Sequence, residues 1–192
     1  LAKGDGGGST SEFLGVLKTE ISRLNGVLER FGSFASLERL EIQSTDVVGV
    51  IESAVRLIRP QAAEQGVDVQ IVKPMGLLLT LIDPERFKEA LLNLLINALE
   101  AMPGGGHLTV TIKQEGQGFQ TIITDTGSGI PPEIQRRFFQ PFFSTKPKGT
   151  GMGLALSEKL IGQHGGHISY RTGPEGTTFE ISMPLEESRI HA

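Results

Sequence analysis

The 192-residue sequence contains no cysteine, which excludes disulfide bonds and thiolate metal sites. It has no apolar run of the ~18–20 residues that a helix needs to cross a bilayer, and no secretory signal pattern. It also lacks a long basic run and its net charge is only −4, which argues against nucleic acid as the main partner. We therefore expect a cytoplasmic chain without a membrane segment, although a longer protein that contains it can still be membrane-anchored.

Hydrophobic residues make up 38% of the chain, so a substantial core can form, and the length suits one domain with an appendage. The sequence begins with Leu1 rather than Met, and we expect it to be a fragment of a longer protein. Glycine is abundant, at 25 residues, and is concentrated in a few places. Those places are candidates for function.

The first 45 residues predict a linker followed by a helix. Residues 1–12 are small, polar and glycine-rich, which is typical of a linker or a disordered segment. Apolar residues then recur at spacings of three and four, which predicts a helix over 13–34 with a heptad seam. That helix either lies on its own domain or belongs to a dimerising hairpin. The seam residues are Leu14, Leu17, Ile21, Leu24, Leu28 and Phe31.

From residue 46 onward the pattern alternates between helices and strands. The predicted helices cover residues 46–65, 83–102, 132–139 and 153–164. The predicted strands cover 67–72, 76–83, 107–114, 119–126, 167–172 and 177–184. Because most strands pair as hairpins and no regular βαβ alternation occurs, we predict an α+β two-layer sandwich, with a mixed sheet and helices on one face.

The segment "TDTGSGIPP" (124–132) follows a predicted strand and carries Asp125, Gly127 and Gly129. One interpretation is a plain turn in which the aspartate accepts a local hydrogen bond. The other is a carboxylate at the floor of a pocket, where it accepts a hydrogen bond from the exocyclic amine of adenine. Guanine has a carbonyl at that position, and the same carboxylate would reject it.

The segment "KGTGMGLALSEKL" (148–160) places alternating glycines before a helix. A glycine-rich loop that opens a helix presents free backbone N–H groups and the positive end of the helix dipole, which favours phosphate. A flexible hinge is the alternative. The pattern is neither a Walker A loop nor G-x-G-x-x-G. Lys146 and Lys148 add positive charge just before the loop.

Asn93 and Asn97 lie four residues apart in "NLLINALEAM" (93–102), and therefore on one face of a helix. Asparagine is unfavourable in a helix interior, so a reason for the pair is needed. An amide oxygen is a suitable ligand for Mg²⁺, which takes few protein ligands beside substrate phosphates. The alternative is a solvent-facing polar stripe, which the flanking leucines disfavour.

In order along the chain, these motifs resemble the N, G1, F, G2 and G3 boxes of the ATP-binding domain of sensor histidine kinases, most of all the nitrogen-regulation type. The boxes are N-x-x-x-N, D-x-G-x-G, "FFQPFFSTK" (138–146), G-x-G-x-G and "GTTFEISMP" (176–184). The resemblance covers about residues 67–184. Upstream, residues 17–35 resemble the second helix of the dimerisation hairpin.

The resemblance implies an ATP and Mg²⁺ site within the superfamily of gyrase, chaperone, kinase and mismatch-repair ATPases. Asn97 is expected to hold Mg²⁺ and Asn93 to lie beside the phosphates, while Asp125 reads adenine with help from Thr177 through a water. The whole implied nucleotide-binding set is Asn93, Asn97, Asp125, Gly127, Gly129, Phe143, Lys146, Gly149, Thr150, Gly151, Gly153, Leu154 and Thr177.

The resemblance also implies that residues 138–150 form a mobile ATP lid, anchored by Phe142 and Phe143 when nucleotide is present. One departure lies at Glu100, where many such kinases carry Lys or Arg. The corresponding phosphate contact is therefore missing or supplied by Lys146. In the related ATPases a water-activating glutamate stands where this chain has Asn93, which predicts slow ATP hydrolysis.

The phosphoacceptor motif of the family, His-Glu/Asp followed by Asn/Thr-Pro, does not occur in this sequence. Its four histidines are His107, His164, His167 and His191, and all are predicted to be ordinary surface or boundary residues. We therefore expect a linker (1–12), the second hairpin helix (13–45) and an ATP-binding catalytic domain (46–192), without the histidine that is phosphorylated.

The expected function is transfer of the γ-phosphoryl group of ATP to that absent histidine, for relay to an aspartate of a response regulator. The expected partners are ATP or ADP, the phosphoacceptor hairpin of the same kinase, the response regulator, and a second copy through the helix 13–34. Two alternatives remain at this point: an ATPase-type conformational switch of the same superfamily, and a binding module with a degenerate ATP site.

Overall fold

The computed structural model describes residues 39–146 and 149–185, together with 13–15, 17, 18, 21 and 32. The chain divides into two units, Leu1–Glu38 and Arg39–Ala192. In the first unit the described residues are helical, and Leu14, Leu17 and Ile21 of the predicted seam are exposed. The rest of the predicted helix and the predicted linker lie outside the described residues.

The described part of the second unit has seven strands and four helices. The strands are β1 (Gln43–Asp46), β2 (Val67–Val72), β3 (Leu79–Ile82), β4 (Gly106–Glu115), β5 (Gly118–Asp125), β6 (His167–Gly173) and β7 (Gly176–Pro184). The helices are α1 (Val47–Glu64), α2 (Pro84–Glu100), α3 (Pro132–Gln135) and α4 (Gly153–Gln163).

The main sheet has five strands in the order β2-β4-β5-β7-β6. Strand β2 runs parallel to β4, and the other neighbours are antiparallel, so the predicted mixed sheet is confirmed. Alternate residues of β4, β5 and β7 are buried, as a sheet with one covered face requires. Helices α1, α2 and α4 contact strands of this sheet, and their apolar residues share one core with its buried face.

The long helices begin where side-chain oxygens cap their first N–H groups. Asp46 accepts from the Val48 N–H at 3.2 Å at the start of α1, and Pro60 lies inside that helix without splitting it. Asp83 accepts from the N–H groups of Glu85 and Arg86, at 3.1 and 3.0 Å, at the start of α2. Both starts agree with the sequence, because Asp at the N-cap satisfies donors that have no intrahelical acceptor.

One strand was not predicted, and two predicted elements have wrong bounds. Strand β1 was not predicted, because its four largely polar residues form a strand only by pairing with β3. The strand predicted over 76–83 begins at Leu79, after a turn at Gly76 with a φ of 102°. The helix predicted over 132–139 ends at Gln135, and tight turns then let the rings of Phe138 and Phe139 both contact Phe179.

His164 ends α4, as predicted, but it is completely buried and is therefore not an ordinary surface or boundary residue. Its Nε2 accepts a hydrogen bond of 3.1 Å from the backbone N–H of Asp83, so the proton of the neutral ring is on Nδ1. Nδ1 in turn donates to the carbonyl of Leu160 at 2.7 Å. The imidazole thus joins the end of α4 to the start of α2.

Candidate nucleotide-binding site

Asp125 ends β5, and the residue is only 3% exposed. Oδ1 accepts from the backbone N–H of Gly127 at 2.9 Å and from that of Thr177 at 3.2 Å. The first bond is the predicted local turn, but the second comes from β7, so the carboxylate is more than a turn residue. Burial raises the pKa of the Asp125 carboxyl above its ordinary value, and the two backbone hydrogen bonds oppose that shift.

The glycines that follow Asp125 lie where no side chain fits. A Cβ on Gly127 would lie 2.7 Å from the Cβ of Ala101, at the end of α2. Gly129 has a φ of 69°, and a Cβ there would lie 2.0 Å from the carbonyl oxygen of Gly173. The loop after β5 is therefore held between the end of α2 and the turn that joins β6 to β7.

Thr172 also holds this loop, and no signal in the sequence marks it. Its hydroxyl accepts from the N–H of Ile130 at 2.8 Å and shares a hydrogen bond of 3.0 Å with the hydroxyl of Thr177. Thr177 is itself nearly buried. The predicted adenine-side residues Asp125, Gly127, Gly129 and Thr177 are therefore brought together in one network.

Helix α2 connects this network with the glycine-rich loop. Asn93, Asn97 and Ala101 recur every four residues and share one helix face. Ala101 accepts from the N–H of Ser128 at 3.2 Å, and Asn93 Oδ1 lies 3.4 Å from the position of a Cβ on Gly153. At 1.5 Å per residue the face from 93 to 101 is about 12 Å long, which suits an extended nucleotide.

The side-chain amide of Asn93 has a buried hydrogen-bond donor without an acceptor among the described residues. Its Nδ2 is buried and has no hydrogen-bond partner within the described residues. A polar stripe that faces solvent would not bury this atom, so that interpretation fails for Asn93. Unpaired buried donors are rare in folded proteins, and a phosphate oxygen beside Gly153 is an acceptor of suitable charge.

The start of α4 also presents backbone donors that no described side chain caps. Met152 is the N-cap residue and provides no side-chain hydrogen bond. The N–H groups of Gly153, Leu154 and Ala155 have no intrahelical acceptor at that position, and an anion is favoured there. Ser157 fixes this helix on α2 by donating to the carbonyl of Ala90 at 2.9 Å.

The loop before α4 requires its glycines. Gly151 has a φ of 66°, and a Cβ there would lie 2.5 Å from the carbonyl carbon of Phe142. A Cβ on Gly149 would lie 2.2 Å from the Ser144 hydroxyl. The predicted site residues Thr150 and Leu154 are half-buried, and Leu154 packs against the core. The loop is thus packed against residues 142–144.

Phe142 and Phe143 of the predicted lid differ in their surroundings. The guanidinium of Arg137 lies 4.4 Å from the ring centre of Phe143, in a cation–π contact. Phe142 is 62% exposed, and its φ of 65° makes it the only described residue other than glycine with a positive φ. Their predicted role as anchors in the presence of nucleotide stays a prediction.

The side chain of Lys146 contacts that of Asn97. Its Nζ donates to Asn97 Oδ1 at 2.8 Å and forms an ion pair with Glu100. The oxygen predicted to hold Mg²⁺ is therefore bonded to an ammonium group. Lys148, the second predicted cation, lies outside the described residues.

The donor set fits a metal that is bound mainly through a nucleotide. Within residues 39–146 and 149–185, no group of three or more His, Asp and Glu could hold a metal on its own. One amide oxygen, Asn97 Oδ1, is the kind of ligand that Mg²⁺ takes when phosphates and waters complete its shell. The residues present thus fit ATP and Mg²⁺ together rather than a bare metal site.

Comparison with known proteins agrees with this geometry. The family model of histidine kinase-, DNA gyrase B- and HSP90-like ATPases matches residues 82–187. The sensor histidine kinase ZraS of Klebsiella oxytoca is 33% identical over 88% of this chain and 37% of its own length. The chain thus spans somewhat more than a third of the length of that relative.

Two solved structures are similar in fold and sequence. The nucleotide-free catalytic domain of the histidine kinase ThkA has a TM-score of 0.70 at 27% identity, and the match covers 78% of this chain and 99% of that domain. Full-length ShkA in complex with AMPPNP has a TM-score of 0.76 at 26% identity, over 88% of this chain and 36% of ShkA.

The chain belongs to the family of histidine kinase-, DNA gyrase B- and HSP90-like ATPases. Its curated and structural relatives are sensor histidine kinases, and the fold is that of their ATP-binding catalytic domain. The predicted α+β class and the resemblance drawn from the boxes are both confirmed. In the described ranges, no helix is both long and apolar enough to cross a membrane.

Proposed function

We propose that this chain binds ATP with Mg²⁺ along the face of α2 and supplies the γ-phosphoryl group to a histidine on a separate helical hairpin of the same kinase. The phosphoryl group then passes to an aspartate of a response regulator. Membership of the family makes ATP the substrate. The observation that carries the proposal is the buried Asp125 carboxylate, because Oδ1 is hydrogen-bonded to the backbone whereas Oδ2 has no hydrogen-bond partner among the residues that the structure describes.

In this proposal, Asp125 recognises the base through a hydrogen bond. Oδ1 is held by the N–H groups of Gly127 and Thr177, which fixes the carboxylate plane. Oδ2 makes no hydrogen bond within the described residues and accepts one from the adenine amine. Guanine places a carbonyl there, and two acceptors repel each other. Thr177 adds a hydroxyl next to the base and contacts it through a water.

The phosphates lie beside Asn93 and the start of α4. Nδ2 of Asn93, which has no partner within the described residues, donates to a phosphate oxygen. The backbone N–H groups of Gly153 and Leu154 do the same, because the first turn of a helix has no intrahelical acceptor for them and Met152 provides no cap. Gly149, Thr150 and Gly151 shape the loop in front of them. Asn97 Oδ1 holds the Mg²⁺ ion, which supplies charge neutralisation at the phosphates when it is bound.

In the transfer reaction, the main contributions of the chain are to position the ATP phosphates and to stabilise their negative charge. The lone pair of the acceptor imidazole nitrogen forms the N–P bond as the bond from the γ-phosphorus to the ADP oxygen breaks, and ADP leaves with the electron pair. Asn93 cannot accept a proton at neutral pH, so a nearby water is not activated. The γ-phosphoryl group therefore survives until the histidine arrives.

The partners follow from this reaction. The chain requires a hairpin that carries the phosphoacceptor histidine, and a response regulator that takes the phosphoryl group. We also propose a homodimer through the helix that the sequence predicts over 13–34, since the described seam residues Leu14, Leu17 and Ile21 are exposed. A cytoplasmic location, where ATP is available, completes the proposal.

The test is phosphorylation in trans. The chain is incubated with γ-labelled ATP, with and without a separate hairpin fragment that carries the acceptor histidine. We expect acid-labile label on the fragment only, and none when that histidine is replaced by alanine. Asp125→Ala in the chain should abolish the transfer. Label on His107, His164, His167 or His191 of the chain itself would contradict the proposal.

A further inference from the structure

Two oxygens on α2 converge on one cation. Asn97 Oδ1 and a carboxylate oxygen of Glu100 both contact the Nζ of Lys146. The two oxygen-bearing residues are three positions apart, hence neighbours on the helix surface. The three side chains join α2 to the segment before the glycine-rich loop.

Glu100 is in an unfavourable place for an isolated acid. It lies in the last turn of α2, where the helix dipole disfavours negative charge. Lys146 is its partner and compensates for that charge. The side chains of Lys146 and Glu100 are 41% and 45% exposed, so the pair can open and close at small free-energy cost.

The same ammonium obstructs the metal position. Its hydrogen bond to Asn97 Oδ1 is 2.8 Å long. A divalent cation on that oxygen and an ammonium group at this distance repel each other strongly. Lys146 must therefore leave Asn97 when a metal binds there.

We propose that Glu100 is a positioning residue that holds Lys146 on Asn97 in the nucleotide-free state, so that Lys146 and the Mg²⁺–nucleotide complex compete for Asn97. Binding of the complex releases Lys146 from Asn97, and its ammonium group is then available to contact the phosphates. The inference rests on the proposed function, since it needs Asn97 as the metal ligand.

Only molecules in which Lys146 has left Asn97 can bind the Mg²⁺–nucleotide complex. The apparent affinity is therefore the intrinsic affinity multiplied by the fraction of such molecules. A surface ion pair changes such an equilibrium by roughly two- to five-fold. Glu100→Gln should therefore raise the affinity for the Mg²⁺ complex of AMPPNP by about that factor. In a Lys146→Met background, Glu100→Gln should leave the affinity unchanged, because no ammonium remains to be held.

This double-mutant cycle separates the proposal from simple repulsion. If the Glu100 carboxylate only repels the phosphates through space, Glu100→Gln raises the affinity equally in both backgrounds, and the proposal is wrong. Glu85 and Lys88 are the matched control, an exposed ion pair at the other end of the same helix. Glu85→Gln, with and without Lys88→Met, should not change the affinity.

A measurement without nucleotide tests the contact itself. The NMR signal of the Asn97 side-chain amide should shift on Glu100→Gln in the otherwise unmodified chain, and should not shift further in the Lys146→Met background. The same shift in both backgrounds would overturn the competition while leaving the nucleotide site intact. Failure of the unmodified chain to bind the AMPPNP complex would instead overturn the proposed function, and the competition with it.

Discussion

The carboxylate Oδ1 of Asp125 accepts a hydrogen bond of 3.2 Å from the backbone N–H of Thr177, which joins the end of β5 to the start of β7. Gly127 donates to the same oxygen. Within the described residues the fold therefore pairs Oδ1 of this buried group but not Oδ2, which is the oxygen that accepts from adenine in the proposed function.

Asp125→Asn should change the preference for the base. The asparagine oxygen can keep the two backbone hydrogen bonds, but the free position then presents an amide donor instead of an acceptor. Loss of a hydrogen bond to a charged group, here about 2–3 kcal/mol, lowers the affinity for adenine nucleotide by roughly 30- to 150-fold. Calorimetry with ADP and GDP measures both the loss of affinity for the adenine nucleotide and the change in base preference. Adenine preference equal to that of the unmodified chain would remove Asp125 from the base site.

The stability of the chain should depend on pH through Asp125. Its folded pKa is raised above the ordinary value of 3.8, because burial disfavours the charged form. The stability contributed by the protonated carboxyl is therefore complete below the unfolded pKa and is lost as pH rises through the folded pKa. Without nucleotide, the unmodified chain should lose stability relative to Asp125→Asn over that window.

Urea unfolding of both proteins, from below pH 3.8 to neutrality, measures this difference. We expect the free energy of unfolding of the unmodified chain, minus that of Asp125→Asn, to fall with rising pH and then to level off. A difference that rises with pH would mean that the hydrogen bonds from Gly127 and Thr177 outweigh the burial of the carboxylate.

Gly129→Ala should destabilise the fold and abolish nucleotide binding. Both Gly129 and Gly116 have a positive φ, 69° and 58°, so alanine costs roughly 1 kcal/mol of backbone strain at either. A Cβ on Gly129 would lie 2.0 Å from the carbonyl oxygen of Gly173, whereas a Cβ on Gly116 meets nothing within 4 Å. Thermal unfolding and a fluorescent ATP analogue should show a severe defect for Gly129→Ala alone.

The glycines explain why the loops of the candidate site are visible in the sequence. Gly127, Gly129 and Gly151 stand where a side chain would collide with backbone or with a packed residue, and such positions leave a readable spacing in the sequence. The caps Asp46 and Asp83 are local too, since the donors follow within three residues. Local constraints of this kind do not require knowledge of the tertiary structure.

Other features could not be predicted, because their causes are distant in the sequence. Lys146 meets Glu100 across 46 residues, and neither side chain signals the other. Strand β1 exists because β3 pairs with it, not because of its own pattern. Helix α3 stops early because the rings of Phe138 and Phe139 pack against Phe179, which only the folded sheet brings near.

Thr121→Val should stabilise the fold. Thr121 is completely buried on the covered face of β5, and its hydroxyl is without a hydrogen-bond partner within the described residues. Replacing it with a methyl group of similar size removes a desolvation penalty of about 1 kcal/mol, which raises the melting temperature by roughly 2–4 °C for a domain of this size.

Thr80 provides the matched control for this substitution. It is equally buried, but its hydroxyl donates to the carbonyl of Pro184 at 2.8 Å. Thr80→Val should therefore lower the free energy of unfolding by about 1 kcal/mol, since it removes that buried hydrogen bond. Calorimetric melting of both variants should show shifts of opposite sign, and a loss of stability in both would refute the interpretation of Thr121.

The most direct test of the central claim is the rate of ATP hydrolysis by the purified chain, free of contaminating ATPases. A carboxylate at position 93 could act as a general base worth ~10²–10⁴-fold in rate, but Asn93 cannot accept the proton. A chain that stores the γ-phosphoryl group for a histidine should therefore turn over far more slowly than ~1 s⁻¹, the low end for ordinary enzymes. Turnover at or above that rate in the absence of any acceptor hairpin would contradict the kinase account and favour an ATP-driven conformational switch.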